Sequence, residues 1–262
     1  MLVCIRGAGD LASGIAVRLF RSNFKIVMLD IATPTTVRRT VSFSEAVRLG
    51  KTFVEDIEAC RAENLDDALK ILDEGKMAVL VCPDGSAIKS LAPDAVVDAI
   101  IAKENLGTKI SDAPIVIGVG PGFTVGVDCH AVVETKRGHT LGRAFYENGA
   151  KAIANTGVPG NIGGYTVERV LRAPCDGVIT PQREIGDIVK AGEVAAMVDD
   201  TPLYCTIDGM LRGMLAPGVH VTKGMKSGDI DPRGAAADHL RVSDKALSIA
   251  GGVLEAILHF HK

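Results

Sequence analysis

The chain has 262 residues, long enough for one large domain or two modest ones with a substantial core. With 29 basic and 32 acidic residues, a net charge of −3, no Trp and 4% aromatic content, it lacks the balance of a nucleic-acid binder. A 47% hydrophobic content excludes a disordered chain.

Six cysteines (Cys4, Cys60, Cys82, Cys129, Cys175, Cys205) form no C-x-x-C pair, which fits neither a metal knuckle nor a disulfide framework. No metal site is expected. The N-terminus MLVCIRGAGD brings charge and glycine too early for a signal peptide, and no apolar run reaches the roughly 18–20 residues of a membrane span. A cytoplasmic protein without a membrane partner is expected.

Leu2–Arg6 reads as a strand that enters Gly7-Ala8-Gly9-Asp10-Leu11-Ala12-Ser13-Gly14, followed by a helix-period segment. A second strand, Lys25–Leu29, ends on Asp30. Gly7, Gly9 and Ala12 match G-x-G-x-x-[G/A], and Asp30 sits near the roughly 20-residue offset at which a carboxylate meets a ribose hydroxyl. Glycines permit the tight turn, and a helix N-terminus faces a phosphate. Candidate cofactor-binding residues here are Gly7, Gly9, Asp10, Ser13 and Asp30. Asp10 departs from the pattern, because its charge would repel a pyrophosphate; it can instead cap the helix. The competing reading is a purely structural βαβ unit.

Downstream, Phe43–Leu49 and Asn64–Glu74 read as helices, Met77–Cys82 as a strand and Pro93–Ala102 as a helix opening on Pro93. Such alternation indicates a mainly parallel sheet with helices on both faces. A further apolar strand, Ile115–Val119, runs into Gly120-Pro121-Gly122. Gly120, Gly122 and Thr124 join the candidate cofactor-binding set, because ligands of open α/β sheets lie beyond the carboxyl ends of strands. Cys129 and His130 follow as candidate catalytic residues, with Glu134, Lys136, Arg137 and His139 close behind. Neighbours on a strand point to opposite faces, so Cys129 and His130 are not expected to act as a nucleophile–base pair.

Beyond Glu168 the texture changes to short apolar pieces separated by Gly, Pro and Asp. Asp176-Gly177-Val178-Ile179 recurs 32 residues later as Asp208-Gly209-Met210-Leu211. The same offset relates Gly186 to Gly218, Val189 to Val221, Gly192 to Gly224 and Val198 to Ile230. Two such halves resemble the barrel-sandwich hybrid of lipoyl and biotinyl carrier domains. A carrier needs a lysine at the tip between the halves, and Val198-Asp199-Asp200-Thr201-Pro202 has none. A docking or lid element is the expected role. A C-terminal helix carries Leu247, Ala250, Leu254, Ile257 and Leu258 on its apolar side, and its Gly251 and Gly252 imply a close backbone approach.

The expected fold class is α/β. A Rossmann-like, mainly parallel domain is assigned to residues 1–169 plus 232–262. An all-β barrel-sandwich hybrid is assigned to 170–231.

The motifs GAGDLASGIAVRL, RRTVSFSEAV, GVDCHAVVETKRGH, NTGVPGNIGGYTVERVLRAP, GDIDPR and GGVLEAIL resemble those of one family, the YqeB-type proteins of the selenium-dependent molybdenum hydroxylase system. The resemblance implies a cytoplasmic maturation factor whose partner is the apo-form of a xanthine dehydrogenase-like hydroxylase. The implied ligand is a nucleotide or a molybdopterin dinucleotide. Sulfur or selenium transfer would need an exposed thiolate of depressed pKa, for which Cys129 beside His130 is the candidate. Two other readings stay open: an NAD(P)-dependent oxidoreductase using Gly7, Gly9 and Asp30, and a non-catalytic docking subunit. Self-association into a homo-oligomer is compatible with any of them.

Overall fold

The computed structural model describes residues 1–261. The chain divides into two units. One comprises 1–34, 42–156 and 242–261, and the other comprises Thr35–Val41 with Gly157–Arg241. The main segment of the second unit runs from Gly157 to Arg241, wider than the 170–231 segment expected from the repeat.

The first unit is built on nine strands. β1 (Leu2–Arg6), β2 (Lys25–Asp30), β4 (Ile57–Ala62), β5 (Met77–Val81), β6 (Ala95–Asp98), β7 (Ile115–Val119) and β8 (Ala131–Val133) pair in parallel, in the order β4-β5-β2-β1-β6-β7-β8. The edges are antiparallel: β3 (Lys51–Val54) pairs with β4, and β9 (Ala144–Phe145) with β8. The central strands are continuous apolar runs, such as VCI, IVML and IVIGV, buried on both faces, as parallel strands must be. Helices α1 (Asp10–Arg21), α2 (Glu45–Leu49), α3 (Leu65–Asp73), α4 (Ala87–Leu91) and α5 (Asp244–Phe260) complete the unit.

One predicted element changes type. Pro93–Ala102 was expected to be helical, yet Ala95–Asp98 is β6, buried at all four positions between β1 and β7. A Val-Val pair preceded by Ala95 suits a buried strand better than a helix surface, and here it outweighs the proline signal.

Within α5, the two glycines differ. A Cβ on Gly252 would overlap the carbonyl oxygen of Gly142 and lie 3.0 Å from Val133 Cγ1, so only glycine lets α5 meet that backbone. On Gly251 the nearest atom would be Arg18 Nη1, 4.0 Å away. Gly14 in α1 plays the matching part on the other side of α5: its Cβ would lie 2.6 Å from Ala246 Cβ. Ser243 caps α5, its side chain accepting from Ala246 N at 3.2 Å.

The second unit holds two four-stranded antiparallel sheets. One has the order β10 (Val170–Arg172), β17 (Lys226–Asp231), β15 (Gly209–Met214), β12 (Ile188–Val189). The other runs β14 (Thr201–Tyr204), β13 (Val194–Val198), β11 (Gly177–Pro181), β16 (His220–Val221). Thr35–Val41 belongs to this unit. Val37 is in its core, Met214 N donates to Val37 O at 2.7 Å, and Arg39 Nε donates to Met214 O at 2.8 Å. Buried ion pairs hold one sheet: Arg169 to Asp229 at 3.3 Å, and Arg212 to Asp231 at 3.0 Å. Burial pushes Asp231 up, but hydrogen bonds from Arg233 and the charges of Arg212 and Arg233 win, holding its carboxyl below the usual range.

Both halves of the expected fold class are therefore corrected. The large sheet is mixed where a Rossmann-like sheet was expected: its seven parallel strands carry an antiparallel strand at each edge. The repeat region is not a self-contained barrel-sandwich hybrid: it forms two antiparallel sheets whose core is completed by Val37 of the distant 35–41 segment. A gapless repeat cannot report a segment recruited from outside it. Among the described residues, no helix is long and apolar enough to cross a membrane.

The two glycines of α5 give a sharp test. Gly252→Ala is expected to destabilise the protein by about 2–4 kcal/mol in urea unfolding, through overpacking against a backbone carbonyl. Gly251→Ala is expected to be neutral, or to stabilise by up to about 1 kcal/mol through helix propensity. Equal effects would show that the close approach of α5 to Gly142 is absent.

Candidate functional site

The glycine loop after β1 lies at the carboxyl end of the strand, and its glycines have separate tasks. Gly7 has φ +96° and its N–H donates to Leu29 O at 2.7 Å; a Cβ there would lie 2.9 Å from Ala99 O. Gly9 is the N-cap of α1, with no side-chain hydrogen bond closing the helix end. The first-turn N–H groups and the positive end of the helix dipole therefore face outward from the sheet's carboxyl edge. Asp10 is the first helical residue rather than the cap, and stands where the dipole favours an acid.

Asp30, at the end of β2, accepts from Ile31 N at 2.8 Å and from the N–H of Ala8 in the glycine loop. Burial raises its pKa, against the pull of those two backbone donors. A carboxylate thus stands against the loop. Ser13 is buried and fully engaged: its Oγ donates to Ala8 O at 3.0 Å and accepts from Phe43 N at 2.8 Å. It shapes the loop and is not available to a ligand.

Beneath the loop lies a buried ion pair that the sequence reading did not single out. Arg6 ends β1 and Asp98 ends β6; they meet at 3.3 Å with both side chains almost wholly buried. Arg6 also donates to the Thr108 hydroxyl and, at 3.1 Å, to Leu106 O. The Thr108 hydroxyl donates to Asp98 at 2.5 Å, while Asn105 donates to Thr108 O at 2.8 Å and to Asp128 at 3.0 Å. Burial raises the Asp98 pKa, against Thr108 and Arg6. The available signal was a charge closing each of two otherwise apolar strands, LVCIR and AVVD.

This network fixes the 99–108 segment, and both glycine loops pack against it. Gly7 meets Ala99, and Gly122 (φ +116°) meets Glu104, whose Cα would lie 2.7 Å from an added Cβ. Between those contacts, Ile101 and Lys103 adopt φ of +62° and +72°. A β-branched residue at positive φ is strained, and persists where its surroundings over-determine it.

The second glycine loop is less open to a ligand. The N–H of Gly120 donates to Val133 O at 2.8 Å, and a Cβ there would touch the Thr135 hydroxyl at 3.0 Å. Thr124 belongs to a local turn, its N–H donating to Asp128 at 2.7 Å. Gly120, Gly122 and Thr124 therefore serve close backbone packing.

Cys129 and His130 do not supply the chemistry sought from them. Cys129 is fully buried and its thiol is pushed up to about 12, mainly by burial, the reverse of an activated thiolate. His130 accepts from Val116 N through Nδ1 at 2.9 Å, which puts it at the amino end of β7, opposite the glycine loops. Burial lowers its pKa, against that hydrogen bond. Among the described residues, no group of three or more His, Cys, Asp or Glu is disposed to hold a metal ion.

No family model matches the chain. It is 49% identical, over 257 residues and 98% of its length, to the uncharacterized protein YqeB of Escherichia coli (strain K12). The match covers 47% of YqeB, so the chain spans about half the length of that relative. Two solved structures show a weaker similarity. A succinylglutamate desuccinylase/aspartoacylase from Rhodobacter sphaeroides aligns over 24% of this chain and 21% of its own, at 28% identity and TM-score 0.21. An aspartoacylase family protein from Mesorhizobium loti aligns over 87% and 84%, at 11% identity and TM-score 0.29. Scores this low carry no argument about fold or chemistry. Neither neighbour's name carries the molybdenum-hydroxylase, Rossmann-like or barrel-sandwich label expected from the sequence.

The burial of the thiols makes a prediction. With Cys4 and Cys129 both held near 12, a thiol reagent at pH 8 should leave these two unmodified in the native protein and label all six cysteines after unfolding. Because both folded values exceed the ordinary thiol value of 9.0, the stability these thiols provide is complete below pH 9 and declines as pH rises toward 12. Urea unfolding between pH 8 and 11 should follow that fall. Rapid native labelling of Cys129 at pH 8 would overturn the assignment.

Proposed function

On the premise that the chain is a YqeB-family member, which 49% identity over 98% of its length supports, we propose that it is an accessory factor that holds a nucleotide-type cofactor. The ligand would lie at the carboxyl end of β1, with its phosphate toward the N-terminus of α1 and its sugar toward Asp30. The carrying observation is the pairing of that helix end, capped by Gly9 without a side chain, with the Asp30 carboxylate set against the same loop.

The residues fit such a group in two respects. A helix of 12 residues offers backbone donors to a phosphate without a side chain in the way. A carboxylate beside the loop suits a ribose diol and opposes a 2′-phosphate. Asp10 limits the fit, since its charge in the first turn weakens attraction for a highly charged pyrophosphate. A molybdopterin dinucleotide would supply the molybdenum-binding pterin; this chain's own residues would bind and orient its nucleotide end. The hydroxylase apo-enzyme as partner rests on the sequence resemblance alone.

Calorimetric titration with ADP is expected to detect binding, with 2′-phospho-ADP at least fivefold weaker. Asp30→Asn should weaken ADP about tenfold, the loss of one charge-assisted hydrogen bond. Native mass spectrometry of protein from its own host should find a pterin dinucleotide; an adenine or nicotinamide nucleotide would retain the site and remove the pterin. A protein that arrives empty and binds no added ADP would overturn the proposal.

A further inference from the structure

A second place on the first unit gathers basic side chains on a pinned loop. Residues 134–143 leave β8 and return to β9 as ETKRGHTLGR, with four basic side chains in eight positions (Lys136, Arg137, His139, Arg143) in a chain of net charge −3. Such a loop is ordinarily mobile and solvated, and this one is pinned. The fully buried Glu134 carboxylate accepts from Thr135 N and Lys136 N at 2.7 Å each and from Ile153 N at 2.8 Å. The loop's stem is closed by Glu134 N donating to Arg143 O at 3.0 Å and Gly142 N donating to Glu134 O at 2.9 Å. Its far side is fastened to α5: Ser248 Oγ donates to Leu141 O at 3.1 Å, and Arg137 forms a two-pronged pair with Asp244, each bond 2.8 Å.

Arg137 is thereby neutralised, whereas Lys136, His139 and Arg143 make no side-chain hydrogen bond or ion pair among the described residues. All three are exposed. His139 and Arg143 line one recess, with Leu141, Gly142, Ala144 and Glu255. Glu255 is the acid of that recess, and its carboxylate is already engaged by the Tyr146 hydroxyl at 2.8 Å. The recess therefore combines an unpaired guanidinium and an imidazole on a rigid backbone with one carboxylate that is already hydrogen-bonded.

We propose that this recess is an anion subsite for a small diphosphate-type molecule, with Arg143 as the principal ligand and His139 and Lys136 at its flanks. A guanidinium takes two phosphoryl oxygens in parallel, and a second cation in the same loop, Lys136, favours a diphosphate over a single phosphate. Pre-fixing the loop removes ordering entropy that binding would otherwise have to overcome. The subsite stands independently of the nucleotide reading at α1, with which it shares no residue.

The test is titration of the full chain with inorganic pyrophosphate and with orthophosphate at low salt, combined with amide chemical-shift mapping. Pyrophosphate is expected to bind more tightly than orthophosphate and to shift the amides of residues 138–144. Arg143→Ala should weaken it at least tenfold and Arg143→Lys less, while Lys136→Ala costs a few-fold. These side chains are exposed, so an unchanged melting temperature will confirm that each variant is folded. Failure of the wild-type chain to bind pyrophosphate would overturn the inference. An affinity that responds to Asp30→Asn but not to Arg143→Ala would also overturn it, while leaving the α1 reading in place.

Discussion

The burial of Arg6 is the constraint from which the carboxyl edge of the large sheet follows. A guanidinium removed from water is tolerated only when its charge is paired and its donors are satisfied. Asp98 supplies the charge, and Thr108 and Leu106 each accept a further N–H group. Those partners come from β6 and the segment after it, so pairing Arg6 also fixes the 99–108 segment. That segment then presses on Gly7 from one side and Gly122 from the other, and neither position tolerates a Cβ. The glycines are consequences of the buried charge as much as of any ligand.

This ordering changes what the glycine loops mean. A glycine can mark a place where a ligand approaches the backbone, or one where another part of the protein does. At Gly120 and Gly122 the approaching group is Thr135 or Glu104. At Gly7 it is Ala99, yet the adjacent end of α1 still has no side-chain cap and stands beside Asp30. The proposed nucleotide site therefore rests on the helix end and the carboxylate, with the glycines as scaffold. Its strained neighbour, Ile101 at φ +62°, is held by the same network, which makes the 99–108 segment a rigid wall.

Much of the sheet was legible because buried parallel strands announce themselves as unbroken apolar runs: LVCI, KIVML, MAVLV and IVIGV all became strands. β6 was missed because Pro93 mimicked a helix start and the segment is only four residues long. The close approach behind Gly252 was readable from its cost in a helix, whereas Gly251 shows no comparable contact. Cys129 and His130 were attractive as reactive types beside a glycine loop. Sequence adjacency cannot show that the chain doubles back from Gly122 to the amino end of β7 before reaching His130. The basic 136–143 loop was visible as composition; that Arg137 is the one paired off depends on Asp244, more than a hundred residues away.

The exact 32-residue spacing of the repeat has a structural cause in the second unit. The two short strands are exchanged between halves: β12 pairs with β15, and β16 with β11. The registers correspond under the repeat, Val189 facing Gly209 as Val221 faces Gly177, and Ile188 facing Met210 as His220 faces Val178. The turn bonds correspond as well: Asp208 accepts from Ala191 N at 2.9 Å, and Asp176 from Lys223 N at 2.6 Å. Gly192 donates to Cys205 O and Gly224 to Ala173 O, each at 2.9 Å. An insertion in either half would displace the strand it lends and the acid it receives, so one added residue would break pairing in both sheets. Reciprocal pairing of this kind resists length change even where side chains diverge, which is why the spacing survives between halves whose residues otherwise differ.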